Sequence, residues 1–207
     1  MNTTDPPELR PEAERNDDVV ASLALTLDGY VCRPDGEVDY LENHPIDDFD
    51  FGAWSARIGA LVMGRASYEQ TVGWGWTWGD LPTLVLTSAT DLPIPEGADV
   101  RFKAAPTAEA ITEFSAEIAA GRGGRIWVFG GGKVVTEALL GGVVDTLDVV
   151  IVPEAIGEGI PLYAQPFAAQ MRVLEAVPFA KGAIRIVYDV ARDLAGDLAG
   201  NVAGDIS

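Results

Sequence analysis

The segment that most narrows the fold runs Arg125-Ile126-Trp127-Val128-Phe129-Gly130-Gly131-Gly132-Lys133-Val134-Val135. Ile126–Phe129 is a short apolar run with strand character, and Val134–Leu140 has helical spacing that stops at Gly141-Gly142. Three consecutive glycines join them. Without side chains, the backbone N–H groups of such a bend approach a ligand closely. The N-terminus of the following helix adds partial positive charge, and the two together suit a phosphate.

The rest of the chain repeats the strand-then-helix theme. Val19–Leu27 reads as a strand ended by Asp28-Gly29, and Phe49–Ile58 as a short helix. Ala60–Met63 is a buried strand followed by a short helix over Ala66–Thr71. Thr83–Thr87 and Val100–Phe102 are extended. Thr107 is placed to cap a helix whose apolar stripe is Ile111, Phe114 and Ile118 and which Gly121 ends. Thr146–Val152 is a strand, and Arg172–Val177 with Ala183–Val190 form a hairpin around Lys181-Gly182. Alternating strands and helices predict one α/β domain over residues 19–192, a mostly parallel sheet with helices on both faces, closed by an antiparallel hairpin. Residues 1–18, rich in Pro, Glu and Asp, read as a disordered arm. Residues 193–207, with their Leu-Ala-Gly-Asp repeat, read as a flexible tail, because glycine in every unit makes a poor helix.

Composition removes several function classes. The net charge of −18 argues against a nucleic-acid partner, which needs clustered Lys and Arg. No apolar run approaches the roughly 20 residues of a membrane span, and the N-terminus does not resemble a secretory signal. A single cysteine, Cys32, excludes an internal disulfide and fits a reducing cytoplasm. The single histidine, His44, lies in a turn-like stretch and reads as an exposed loop residue, and one Cys with one His makes a metal site improbable. In so acidic a chain, each cation beside a glycine turn gains interest.

Ligands of open α/β sheets bind beyond the carboxyl ends of parallel strands. Asp28-Gly29, Gly64-Arg65, Thr87-Ser88 and Gly130-Gly131-Gly132 all follow predicted strands, so parallel strands would gather them on one rim. Each is weak alone. The glycine triplet is not a dinucleotide fingerprint, because Val135 stands where the third glycine belongs. Nor is it a P-loop, since Val134 follows Gly132-Lys133 in place of Ser or Thr. Taken singly, the triplet and Asp28-Gly29 are also ordinary turns, and Arg65 an ordinary solvated arginine.

Four motifs in order carry a resemblance: Ser22–Tyr30, Met63-Gly64-Arg65-Ala66-Ser67-Tyr68-Glu69, Gly130–Val135, and Val152–Tyr163. Together they resemble the dihydrofolate-reductase-like superfamily, in particular the C-terminal reductase domain of the bifunctional riboflavin-biosynthesis enzyme. The likeness covers residues 19–190 and implies NADPH as cofactor. It implies that Gly130, Gly131 and Gly132, with Lys133 and Val134, face the pyrophosphate. Gly64, Arg65 and Ser67 would meet the adenosine phosphates, and Thr87 and Ser88 the 2′-phosphate. It also implies a homodimer acting on a small pyrimidine- or pteridine-like molecule, similar to 5-amino-6-(5-phosphoribosylamino)uracil reductase. The chain lacks the zinc-deaminase signature of the bifunctional enzyme. A dihydrofolate or dihydropteridine reductase, or an NADPH-binding protein without turnover, are the rival readings.

Hydride reduction of a C=N bond also needs a proton, which a carboxyl group of raised pKa can supply. Asp28 at the end of the first strand, Glu158 between Gly157 and Gly159, and Asp48 are the candidate acids. Asp48 falls at the pterin-binding position by counting back from Arg65. Asp47, Asp48 and Asp50 equally suit a helix start. A phosphorylated ribosyl substrate calls for a further cation, for which Arg33, Lys181 and Arg185 are candidates. Trp74, Trp76 and Trp78 alternate with other residues, which puts all three on one side of an extended segment, as a pocket wall or as cover for an apolar edge.

Overall fold

The structure is a computed structural model and describes residues 18–190. The expected arm, apart from Asp18, and the expected tail lie outside the described residues. Among the described residues, ten strands and four α-helices follow in the order β1 (Val19–Thr26), β2 (Tyr30–Cys32), α1 (Phe51–Ser55), β3 (Ile58–Gly64), α2 (Arg65–Gly73), β4 (Thr83–Leu86), β5 (Val100–Lys103), α3 (Thr107–Ala120), β6 (Arg125–Gly130), α4 (Gly132–Leu140), β7 (Thr146–Val152), β8 (Ile160–Pro161), β9 (Arg172–Pro178) and β10 (Ile184–Asp189).

Eight strands form one sheet in the order β5-β4-β3-β6-β1-β7-β10-β9. Pairing is parallel from β5 through β7 and antiparallel for β10 against β7 and β9. The carboxyl ends of β1, β3, β4, β5 and β6 therefore share a rim. β6 inserts between β1 and β3, which brings the glycine triplet to the centre of that rim.

Strand alternation explains the two layers of core. Ala60 and Val62 of β3 face α3 and α4 through Ile111, Phe114, Val135 and Leu139. Leu61 and Met63 face the other way, onto Trp54 of α1, Tyr68 of α2 and Trp127. Such runs, apolar on both faces, mark interior parallel strands.

Three local expectations are corrected. The helix expected over Phe49–Ile58 is only Phe51–Ser55, because Asp50 accepts the Ala53 amide at 2.8 Å and starts it, while Ile58 already belongs to β3. Thr107 is not a cap: it is the first helical residue of α3, flanked by Pro106, and its hydroxyl donates to Glu137 of α4. The three tryptophans do not share a side. Trp74 ends α2, and Gly75, at φ 96°, breaks the alternation. Trp76 then packs on Tyr68, and Trp78 on Trp127 and Phe129. A two-stranded ribbon of β2 and β8, which sequence periodicity does not reveal, lies apart from the main sheet.

Candidate active site

β3 runs straight into α2 and β6 straight into α4, and the two strands are neighbours. The N-termini of both helices thus open into one cleft of about 440 Å³. Gly64, Arg65 and Ser67 enter it from α2, and Gly131, Gly132, Lys133 and Val134 from α4. Thr87 and Ser88 enter after β4, and Lys103 at the end of β5. Each cation rests against a carboxylate: Arg65 on Glu69 at 3.0 Å, Lys103 on Glu113, and Lys133 on Glu137 at 3.8 Å. These are exposed pairs, each worth about 0–1 kcal/mol, so a phosphate takes over the cation at little loss.

A second cleft of about 260 Å³ opens beyond the Gly130–Gly131 peptide, which is cis. Trp127 and Phe129 of β6, Leu23 of β1, Val31 and Cys32 of β2, Tyr40 and Leu41, and Gln70 and Trp74 line it. Ser22, Ser67, Gly130 and Gly131 also line it, and Ser67 and Gly131 line both clefts. A Cβ added at Gly130 or Gly131 would stand 3.7 or 3.6 Å from Ser67 Oγ, so side chains there would narrow the junction. The walls are tied by their own polar atoms. Trp127 Nε1 donates to the Ser22 carbonyl at 2.8 Å, Tyr40 Oη to that of Val31 at 2.9 Å, and Gln70 Nε2 to that of Gly36 at 2.8 Å. Burial raises the pKa of the Cys32 thiol, with the Asp35 carboxylate adding to it, and burial raises that of the Tyr40 phenol. Both stay uncharged near neutrality.

Of the residues the resemblance assigned to the cofactor, all but Gly130 line the first cleft, and Gly130 lines the second. Gly132 has a further reason to be glycine: a Cβ there would lie 2.4 Å from the Pro161 carbonyl oxygen of β8. The three acids proposed for proton delivery line neither cleft. Asp28 accepts the Thr26 hydroxyl at 2.6 Å and the Gly157 and Ile156 amides at 2.8 and 3.3 Å. Led by the Thr26 bond, these hold its carboxyl below the usual carboxylate range, the opposite of what a proton donor needs. Asp48 accepts the Ala180 amide at 3.2 Å in the β9–β10 turn. Glu158 is exposed in the loop before β8.

The candidate phosphate cations are also engaged away from the clefts. Arg33 pairs with Asp39, and Lys181 sits 3.8 Å from Asp47. Arg185 holds Asp148 through two bonds of 2.8 Å and lies over the Phe49 ring. His44 is half-buried, not exposed, and meets Glu154 at 3.0 Å. Trp74, offered above as a pocket wall, does line the second cleft, whereas Lys103, Gln70, Tyr40 and Trp127 are wall residues that sequence reasoning did not single out. Lys103 was within reach, because it ends a parallel strand at the rim where Thr87 and Arg65 follow theirs. The walls of the second cleft are assembled from distant segments with no shared pattern.

Residues 18–184 match the family described as the RibD C-terminal domain. The chain belongs to that family, whose fold is dihydrofolate-reductase-like. Two Bacillus subtilis proteins are similar: YwjB, 25% identical over 70% of this chain and 81% of its own, and YyaP, 26% identical over 82% and 93%. Among solved structures, a Shewanella sp. PV-4 protein named for riboflavin biosynthesis superposes with a TM-score of 0.69 at 21% identity, covering 84% of this chain and 99% of that one. The bifunctional deaminase and 5-amino-6-(5-phosphoribosylamino)uracil reductase of Thermotoga maritima superposes at 0.61 and 13% identity, over 84% of this chain and 56% of that longer one. No described helix is long and apolar enough to cross a membrane.

Proposed function

We propose that this RibD C-terminal-like domain is an NADPH-dependent reductase of a small pyrimidine- or pteridine-like molecule. One observation carries the reading: a cation-lined cleft and an aromatic-lined cleft meet at Ser67 and Gly131. The donor set of the first fits a phosphorylated dinucleotide. Arg65, Lys103 and Lys133 supply charge, Thr87 and Ser88 supply hydroxyls, and the Gly131–Gly132 backbone opens α4 toward the ligand. When bound, a reduced nicotinamide supplies hydride. Trp127 and Phe129 would bound a flat ring in the second cleft, with Gln70 and Ser22 as neutral polar groups. With no carboxylate in the wall among the described residues, the companion proton is read as coming from water at the cleft mouth. The same lining favours this reading over a folate reductase, whose substrate-binding carboxylate would have to be Asp48. Apolar residues exposed around the closing hairpin, Val173 and Ile184, support the homodimer reading, which light scattering tests.

The decisive experiment is calorimetric titration with NADPH and NADH, followed by substrate-dependent loss of the absorbance at ~340 nm of the reduced nicotinamide. Micromolar NADPH binding with turnover of a pyrimidine or pteridine supports the reading. Binding without turnover across both classes leaves the non-catalytic binder, and no binding at millimolar NADPH ends the cofactor assignment.

A further inference from the structure

We infer that the second cleft selects a flat, uncharged ring and discriminates against substrates that carry a phosphate or carboxylate. This deepens the reductase reading above and rests on it. Among the described residues no Lys, Arg, Asp or Glu lines the cleft. Its ionisable wall groups are Cys32 and Tyr40, which burial keeps neutral. Trp127, Phe129 and Trp74 offer ring faces and edges, and beside Cys32 and Tyr40 the neutral polar side chains are those of Ser22, Ser67 and Gln70. That is the chemistry of a neutral heteroaromatic: apolar area for the ring, a few uncharged groups for its amide-like edge.

The turn beside the wall, whose Gly36 carbonyl accepts from Gln70 Nε2 at 2.8 Å, opposes an anion further. Cys32 leads into a turn closed by the Arg33 amide on the Glu37 carbonyl at 2.8 Å. The one cation of that turn, Arg33, donates to Asp39 at 2.5 Å. Asp35 and Glu37 leave the segment net negative, and Asp35 acts on the Cys32 thiol at the cleft wall. A phosphate entering here would shed water with no cation to receive it. The contrast lies within the same molecule. The neighbouring cleft, where a phosphate is expected, carries Arg65, Lys103 and Lys133.

Tryptophan emission reports occupancy, since Trp74 and Trp127 line the cleft. The full chain, with and without saturating NADPH, is titrated with two probe pairs: uridine against uridine 5′-monophosphate, and 6,7-dimethylpterin against folate. The expected result is saturable quenching by the neutral member of each pair, with affinity at least about tenfold above its anionic partner. Gln70→Arg, which places a cation in the wall, should recover about tenfold of the uridine 5′-monophosphate affinity, with Gln70→Lys as the second variant. Equal affinities, a preference for the anion, or no saturation by either neutral probe overturns the inference. Calorimetry with NADPH reports the underlying reading separately. A protein that ignores NADPH yet prefers neutral probes loses only the cofactor assignment. One that binds NADPH and prefers the phosphorylated probe loses only the selectivity proposed here.

Discussion

The carboxylate of Asp28 accepts the backbone amide of Gly157 at 2.8 Å, tying the turn after β1 to the loop between β7 and β8. The Thr26 hydroxyl and the Ile156 amide bind the same carboxylate. A group built this way is a latch. Its folded pKa lies below 3.8, so its contribution is fully present above the unfolded value and fades as pH falls through the folded one. Asp28→Ala should therefore speed hydrogen exchange at Gly157 at pH 7, and the difference from the parent should vanish in strong acid. A difference that persists unchanged into strong acid would contradict the latch.

Arg65 and Lys103 approach the first cleft from α2 and β5, and each pairs with an exposed glutamate. Charge-assisted hydrogen bonds to a phosphate contribute roughly 1.5–3 kcal/mol. Arg65→Ala should weaken NADPH by about tenfold to a hundredfold, with NADH nearly unchanged, and Lys103→Ala should act in the same direction. Titration calorimetry of both cofactors checks this, and parallel losses for NADPH and NADH would remove the 2′-phosphate assignment.

The ease of reading differed between the two clefts for a physical reason. Arg65 and Thr87 each follow a strand immediately, the glycine triplet begins on the last residue of β6, and parallel pairing carries every such position to one rim. Local pattern plus one topological rule is enough to assemble that site. The second cleft draws Leu23 from a strand, Tyr40 from a 3-10 turn, Gln70 from α2 and Trp127 from β6, each chosen for shape and none for a motif. Asp28 and Arg185 show the converse. A carboxylate at a strand end and an arginine in a hairpin look available in sequence, but their partners, Gly157 and Asp148, lie far along the chain or across a strand pair.

Two glycines test the packing around the glycine turn. A methyl group at Gly132 would collide with the Pro161 carbonyl oxygen, a backbone atom of β8 that cannot rotate away. Gly132→Ala should destabilise by about 1–3 kcal/mol and loosen β8. At Gly73, the last residue of α2, an added Cβ meets nothing within 4 Å. Gly73→Ala should stabilise by up to about 1 kcal/mol through the unfolded chain. Urea unfolding of the two variants side by side gives the comparison, and equal destabilisation would mean that the crowding at Gly132 is absent.

Arg185 separates a structural cation from a ligand-binding one. It is 11% exposed and grips Asp148, 3% exposed, across the β10–β7 pair, with Glu175 on its other side. Removing it leaves Asp148 buried without that guanidinium, and a buried pair broken on one side costs about 3–5 kcal/mol. Arg185→Ala should lose stability of that order in urea while the protein that stays folded binds NADPH as before. The double variant Arg185→Met with Asp148→Leu removes both charges and should recover most of the loss, since apolar replacement of both partners is often neutral. A double variant no more stable than Arg185→Ala would show that the strand pair depends on the ion pair itself, and a selective loss of cofactor affinity would return Arg185 to the binding site.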